Sequence, residues 1–173
     1  MDMIGSFVNS AMALEQLEIP FMIGGGVGHG AQITAALSMG AAGVVVGTRF
    51  LVAEEIWAHD NFKQRLIDAN ETDTALILSS IRNTVRSLSN LTTRDVQQME
   101  REDPNVTLDQ LMPLISGKLG RKAYETGDCD RGILSAGHSL AFVRQIEPLA
   151  DIVASLEAEA LVALERLAAL GSR

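Results

Sequence analysis

One long uncharged segment constrains the fold of this chain more than any other feature. From Ile19 to Thr48 the sequence contains no Asp, Glu, Lys or Arg, and it includes a glycine-rich run, Gly24–Gly30. An apolar segment of this length raises the possibility of a membrane-spanning helix. The glycines would break such a helix near its middle, and no Lys or Arg precedes Arg49 to mark an inner flank. We therefore expect a βαβ unit whose strands are buried on both faces.

Hydrophobic periodicity places further elements around this unit. A helix is expected over 6–17, a strand over 21–23, a second helix over 31–39 and a second strand over 42–46. The rest of the chain is predicted to be mostly helical. Helices are expected over 51–69, 93–102, 107–116, 118–125 and 149–167, a strand over 74–78 and a loop over 127–132. The apolar residues of segment 82–90 fit neither the helical nor the strand periodicity. The last helix carries one continuous apolar stripe.

Composition sets limits on the class of protein. Hydrophobic residues make up 47% of the chain and the formal net charge is −8, which fits one soluble globular domain with a real core. A net negative charge opposes binding to nucleic acid or to anionic membranes. The one cysteine, Cys129, cannot form an internal disulfide, and no cationic export signal precedes Arg49. A cytoplasmic location is therefore expected.

The glycines at the two predicted strand ends indicate the chemistry. The first strand runs into Gly25 and Gly26, and the second ends at Gly47 and Thr48. Backbone N–H groups without a neighbouring Cβ can approach a phosphate closely, and in (β/α)8 barrels such a site forms after strands 7 and 8. A single glycine cluster would be explained by tight turns alone. Two matching strand ends one βαβ unit apart favour a phosphate site.

A dinucleotide-binding fingerprint is the rival interpretation of these glycines. The fingerprint is G-x-G-x-x-G. When it is aligned from Gly24, His29 takes the position of the third glycine, and when it is aligned from Gly26, the spacing to the last glycine, Gly30, is wrong. No acidic residue ends the second strand, where Gly47 and Thr48 stand instead. The pattern does not favour a Rossmann fold.

Several ordered motifs resemble the nitronate monooxygenase family, also called 2-nitropropane dioxygenases. The resemblance begins with the run from Ile19 to Gly30 and continues through 35–43 and 46–55. It extends through further short motifs in the family's order, at 59–63, 71–74, 82–84, 127–128 and 135–137. The resemblance covers nearly the whole chain.

The resemblance implies a fold, a cofactor and a reaction. The fold would be α/β, the C-terminal part of a flavin-binding (β/α)8 TIM barrel with an appended mostly helical segment. Gly25, Gly26, Gly47 and Thr48 would hold the phosphate of FMN, and no metal is expected. The reaction would be oxidation of alkyl nitronates or nitroalkanes by O2. FMN-dependent enoyl-acyl-carrier-protein reductases share much of the pattern and are the alternative enzyme, and a non-catalytic half-barrel fragment is the third hypothesis.

The resemblance also indicates what this chain does not supply. A complete barrel takes about 250 residues, and the family's catalytic histidine lies upstream of the matching region. His29 stands where the family usually has Asp, and His59 lies in a polar stretch. His138 stands where the family commonly has Gln, and it is a candidate to face the flavin. We expect weak or no activity from this chain alone, and either self-association or a complementing chain.

Three segments are expected from the resemblance. Residues 1–58 would form the barrel βαβ unit with the FMN phosphate site, and residues 59–131 an inserted, mainly helical domain. Residues 132–173 would form a C-terminal segment and a helix that returns to the barrel.

Other constellations are weaker. The segment 137–141 resembles an acyltransferase nucleophile elbow, but Ala141 replaces its second glycine and no histidine follows Ser139. The acidic residues on either side of Cys129 should raise the pKa of its thiol, which argues against a nucleophile. Ordinary surface charge accounts for the widely spaced arginines of the middle segment, Arg82, Arg86 and Arg94.

Overall fold

The computed structural model describes residues 4–171, in which helices predominate. Residues 1–3 and 172–173, at the outer ends of the first and last predicted segments, lie outside the described residues. The α-helices are α1 (Ser6–Gln16), α2 (Gly30–Ser38), α3 (Asp60–Ile67), α4 (Leu91–Glu102), α5 (Leu108–Ile115), α6 (Gly117–Thr126) and α7 (Leu149–Gly171). Two 3₁₀ turns occupy Thr48–Phe50 and His138–Phe142. The strands are β1 (Met22–Gly24), β2 (Gly43–Val45), β3 (Thr74–Ile77) and β4 (Val85–Leu88).

The expected βαβ unit is confirmed, but the expectation that its strands are buried on both faces is wrong for this chain, because Met22 and Val45 are more than half exposed. Strands β1 and β2 pair in parallel, with Met22 opposite Gly43 and Gly24 opposite Val45. Helix α2 connects them, and its capping box explains where it begins. His29 Nδ1 accepts from the Ala31 N–H at 3.0 Å, while Gln32 Oε1 accepts from the His29 N–H at 3.0 Å.

The segment 82–90, whose hydrophobic periodicity was ambiguous, contains the second strand of a β-hairpin. Strands β3 and β4 pair antiparallel, with Thr74 opposite Leu88 and Ile77 opposite Val85. The pattern of β4 does not alternate because Ser87 and Leu88 are both buried. Ser87 Oγ donates to the Leu134 carbonyl at 3.1 Å and accepts from the Leu134 N–H at 3.0 Å. The segment after residue 132 is thereby held beside β4.

The prediction of one helix over 51–69 is wrong for its first half. Helix α3 begins only at Asp60, with His59 as its N-cap. The backbone before it has other partners, since the Glu54 N–H donates to the Glu147 carbonyl at 3.0 Å. The buried Lys63 ammonium donates to the Ala53 carbonyl at 2.7 Å and to the Glu54 carbonyl at 3.2 Å. These tertiary hydrogen bonds replace those a helix would form.

The largest core unites residues from all three predicted segments. Its buried members are Val52, Ala58, Phe62, Leu66, Ala69, Leu88, Ala123, Leu134, Ala136, Leu140 and Val143. Residues 59–131 hold the β3–β4 hairpin as well as four helices, α3 to α6. The division at residues 58 and 131 stays a prediction.

The expected stripe of α7 is buried only in its first half. Ile152 and Leu156 are buried in a small core with Ala53, whereas Leu164 is 54% exposed and Leu167 is 49% exposed. Helix α7 packs chiefly against α2 instead of against strands. Thr34 Oγ1 donates to the Ala160 carbonyl at 2.8 Å across this helix pair.

Candidate functional site

All four residues predicted to hold a phosphate line one cavity. The cavity has a volume of about 400 Å³ and lies beyond the ends of β1 and β2. Its walls are Gly25, Gly26, Gly47, Thr48, Leu51, Arg86, Ser135, Ala136, Gly137 and Ser139. The structure therefore brings together residues from the βαβ unit, from β4 and from the segment that follows residue 132.

The glycines leave this cavity open. Gly25 and Gly26 have positive φ values of 88° and 81°, a conformation that favours glycine. A Cβ at Gly25, Gly26 or Gly47 would meet no heavy atom within 4 Å. Within residues 4–171 the N–H groups of Gly26 and Thr48 donate to no other group of the chain. Open space and backbone N–H groups without an acceptor therefore lie together at these strand ends, which is what an anion-binding site needs.

Two contacts fix the far wall of the cavity. Thr48 Oγ1 accepts from the Gly137 N–H at 2.8 Å, so the end of β2 is tied to the 135–139 segment. Ser87 and Ser135 form an isolated antiparallel bridge, which ties the same segment to β4. The cavity is thus built by tertiary hydrogen bonds between distant parts of the chain.

Sequence reasoning did not assign three polar residues to the cavity, Arg86, Ser135 and Ser139. Arg86 was interpreted as ordinary surface charge, but it is half-buried in the cavity wall, and its Nη1 donates to Thr74 Oγ1 at 2.9 Å. Ser139 was considered only as part of an acyltransferase-like motif. The hydrophobic periodicity of 82–90 was ambiguous, so the hairpin was not predicted. Without the hairpin, the sequence did not indicate that Arg86 lies in the cavity wall.

The three histidines take different positions. His29 and His59 are N-caps of α2 and α3, and each accepts a backbone N–H at its Nδ1. His138 is exposed, and it lies between Gly137 and Ser139 without lining the cavity itself. Its assignment as a residue that faces a cofactor stays a prediction.

Cys129 lies away from this cavity, against α3. The pKa of its thiol is raised above its ordinary value, first by burial and further by Asp128 and Asp130, while Arg65 opposes the shift. The direction expected from the sequence is therefore right, although burial is the larger cause. Within residues 4–171 no group of three or more His, Cys, Asp or Glu side chains is arranged to hold a metal ion.

A mostly buried ion pair involves Arg49, the residue that follows Thr48 of the cavity wall. Arg49 Nη2 is 2.7 Å from Glu147 Oε1, and the two side chains are 10% and 14% exposed. Gln145 Nε2 also donates to Glu147 Oε2, at 3.0 Å. The hydrogen bond from Gln145 and then the one from Arg49 lower the pKa of the Glu147 carboxyl, against a smaller opposing effect of burial. The pair joins the turn after β2 to the segment that precedes α7.

No helix among residues 4–171 combines the length and the apolar character that crossing a membrane requires.

Comparison with known proteins identifies relatives along most of the chain. The family model described as "Nitronate monooxygenase" matches residues 4–159. The nitronate monooxygenase of Paraburkholderia phytofirmans is 27% identical over 170 residues, which cover 96% of this chain and 44% of that protein. A probable nitronate monooxygenase of Bacillus subtilis is 31% identical over 99 residues, 57% of this chain and 28% of that protein. The chain thus spans less than half the length of these two relatives.

Solved structures match the fold over nearly the whole chain. FabK from Thermotoga maritima has a TM-score of 0.87 at 27% identity, covering 98% of this chain and 53% of its own. The nitroalkane oxidase from Streptomyces ansochromogenes has a TM-score of 0.75 at 28% identity, covering 95% and 46%. The expected fold class, part of an α/β barrel of the flavin-binding type, is confirmed. The chain belongs to the nitronate monooxygenase family.

Proposed function

We propose that this chain forms the FMN phosphate-binding part of an oxidoreductase that oxidises alkyl nitronates or nitroalkanes with O2. The observation that carries the proposal is the convergence of Gly25, Gly26, Gly47 and Thr48 on one cavity, in a chain of the nitronate monooxygenase family. Family membership supports a flavin, and the size and donors of the cavity favour a phosphate-bearing one. The single cysteine supports a cytoplasmic location as part of the proposal.

The residues present fit an FMN phosphate. The open space at Gly25, Gly26 and Gly47 is where side chains would otherwise stand, and the unused N–H groups of Gly26 and Thr48 are suitable donors. When bound, FMN supplies the electron-accepting chemistry, and the protein supplies binding and orientation. The Thr48 hydroxyl already accepts a hydrogen bond from Gly137, so it fixes the position of the opposite wall.

Proton transfer is assigned to no residue of this chain. His29 and His59 use their Nδ1 atoms as helix caps, and the exposed His138 stays the weak candidate beside the cavity. In this proposal the histidine that handles the substrate proton belongs to the part of the relatives that this chain does not span. The chain alone should then bind cofactor better than it turns over substrate.

An exposed apolar face supports a further partner surface. Large apolar side chains are exposed on α1, before β1 and on both strands: Phe7 is 73% exposed, Ile19 69%, Met22 59% and Val45 55%. Exposed apolar groups favour association, and a short parallel sheet has edges that can pair. We propose that the remaining half of a barrel covers this face, from the same or another polypeptide. Self-association of the isolated chain is the alternative.

Cofactor titration tests the phosphate site. Purified chain is titrated with FMN, and binding is followed by quenching of flavin fluorescence. Gly47→Val places a side chain in the open space at a negative φ of −115°, and we expect FMN binding to weaken at least tenfold. Gly5→Val is the control, because a Cβ at Gly5 also meets nothing within 4 Å and that residue lies outside the cavity. Equal FMN affinity in both variants and the wild type would contradict the assignment.

Turnover distinguishes the candidate reactions. Oxygen uptake with an alkyl nitronate tests the proposed activity, while NAD(P)H oxidation with an enoyl thioester tests the reductase alternative. The TM-score of 0.87 with FabK is the observation that keeps this alternative. Each assay is run on the chain alone and after addition of the N-terminal part of the Paraburkholderia phytofirmans relative. FMN binding without either turnover in both conditions would support the third hypothesis, a non-catalytic half-barrel.

A further inference from the structure

We propose that Arg86 is the counter-ion of the phosphate at this cavity and that it makes the site select FMN over riboflavin. The inference rests on the proposed function, but it concerns a side chain that the family motifs quoted above do not include. Its evidence is the charge of the cavity, the placement of Arg86 and an unused hydroxyl group nearby.

The cavity is lined by one residue with a positive charge and by none with a negative charge. Arg86 is the charged residue among its ten lining residues, in a chain with a net charge of −8. Within the described residues Arg86 forms no ion pair, whereas Arg49, Arg121 and Arg131 each pair with a carboxylate. An unpaired guanidinium in a half-buried wall favours an anionic ligand, because a phosphate can accept two of its N–H groups.

Strand pairing holds this guanidinium in place. Arg86 lies opposite Leu76 in the β3–β4 register, and its Nη1 donates to Thr74 Oγ1 at 2.9 Å. That contact is the only hydrogen bond of the Arg86 side chain within residues 4–171, so most of the five guanidinium N–H donors are available. A pre-positioned arginine loses less side-chain entropy on binding than a mobile one.

A second polar group of the cavity has no partner. Ser139 is only 2% exposed, yet its hydroxyl forms no hydrogen bond within the described part of the chain. The hydroxyl is therefore available to donate to an anionic ligand in the cavity. Ser139 and Arg86 reach the cavity from different walls than the glycines do. Together with the Gly26 and Thr48 N–H groups, they would surround an anion on several sides.

The expected consequence is selectivity for the phosphate. FMN and riboflavin share the flavin ring and the ribityl chain, so their difference in affinity reports the phosphate contacts. A charge-assisted hydrogen bond pair contributes about 10- to 100-fold in affinity. Removing the guanidinium should therefore weaken FMN binding by this factor and leave riboflavin binding unchanged.

The experiment measures dissociation constants for FMN and riboflavin with the full chain. Arg86→Gln is compared with Arg82→Gln, which removes the same charge from an exposed position in the same hairpin. We expect Arg86→Gln to weaken FMN alone and Arg82→Gln to match the wild type. If Arg86→Gln fails to fold, Arg86→Lys retains the charge without the bidentate geometry and should weaken FMN alone by a smaller factor.

The outcomes separate this inference from the proposed function. Equal weakening of both flavins by Arg86→Gln, or a wild type that binds FMN no better than riboflavin, would overturn the role of Arg86 and leave the glycine site standing. If the wild type binds neither flavin, the proposed function fails. The role of Arg86 in binding an anion is then tested with inorganic phosphate. A rise in melting temperature with phosphate in the wild type but not in Arg86→Gln would support an anion site, and no rise in either would overturn it.

Discussion

The contact between α2 and α7 is so close at Gly30 that a single methyl group should disrupt it. A Cβ at Gly30 would lie 2.2 Å from the Leu156 carbonyl oxygen, 2.4 Å from the Ala160 nitrogen and 2.5 Å from Glu159 Cβ. Two of these atoms belong to the α7 backbone, which cannot rotate away as a side chain can. Gly30→Ala must therefore move the two helices apart by about 1.0–1.3 Å to restore ordinary contact distances of about 3.5 Å.

The expected cost follows from what this movement strains. Overpacking in a rigid core costs about 1–3 kcal/mol. The same shift lengthens two hydrogen bonds, from the Gly30 N–H to Glu159 at 2.7 Å and from Thr34 to Ala160 at 2.8 Å. Each contributes about 1 kcal/mol, while alanine regains up to about 1 kcal/mol of helix propensity. We expect a net loss of about 3 kcal/mol, or about 6–12 °C in melting temperature for a chain of this size.

Gly117→Ala is the matched control. Gly117 is also the first residue of its helix, α6, but a Cβ there meets nothing within 4 Å. The same substitution should leave the melting temperature unchanged or raise it slightly. Thermal unfolding followed by circular dichroism at 222 nm measures both variants. Equal stability of Gly30→Ala and Gly117→Ala would refute the close packing of α7 on α2.

Three further predictions concern buried groups. Leu156→Asp should destabilise the chain by about 3 kcal/mol or more, because it buries an unpaired charge, whereas Val153→Asp, at a position 47% exposed on the same helix, should cost under about 0.5 kcal/mol; chemical denaturation measures both. Glu147→Gln should cost about 2 kcal/mol at pH 7. Because the folded-state pKa of Glu147 is lowered, the stabilisation by its carboxylate is present above the ordinary carboxyl pKa and is lost as pH falls through the folded-state value. The difference in unfolding free energy between the wild type and Glu147→Gln should therefore shrink in acid. A difference that stays constant from pH 7 to pH 3 would contradict this. Lys63→Met should destabilise by about 2 kcal/mol, since the buried Ala53 carbonyl and the partly buried Glu54 carbonyl lose their donor, and an unchanged urea midpoint would count against that role.

The βαβ unit was predictable because its signals are local. An uncharged apolar run with glycines at both strand ends is recognisable without knowledge of distant contacts, and both strands lie within one or two residues of their expected bounds. Helix α2 could be placed for the same reason. The predicted glycines also lie together, since the carboxyl ends of neighbouring parallel strands meet at one edge.

The parts that could not be predicted depend on distant partners. Residues 51–59 have enough apolar residues for a helix, but Lys63 and the Glu147 carbonyl engage their backbone instead. Strand β4 lacks alternation because Ser87 bonds to Leu134, far away in sequence. Arg86 was misjudged with it, since a side chain cannot be assigned to a cavity before its strand is known. The exposed second half of α7 shows the limit of such a pattern. An apolar stripe indicates that a helix can pack, but it does not predict which surface the helix packs against.

The walls of the cavity come from three stretches of sequence, around residues 25–48, at residue 86 and at 135–139. An anion held there would act as a non-covalent cross-link between parts of the chain that lie more than a hundred residues apart. Its effect should be kinetic as well as thermodynamic. Since the walls must assemble before the ligand can bind, added phosphate or FMN should slow unfolding and leave the rate of folding nearly unchanged. Cofactor availability would then set the lifetime of the folded chain.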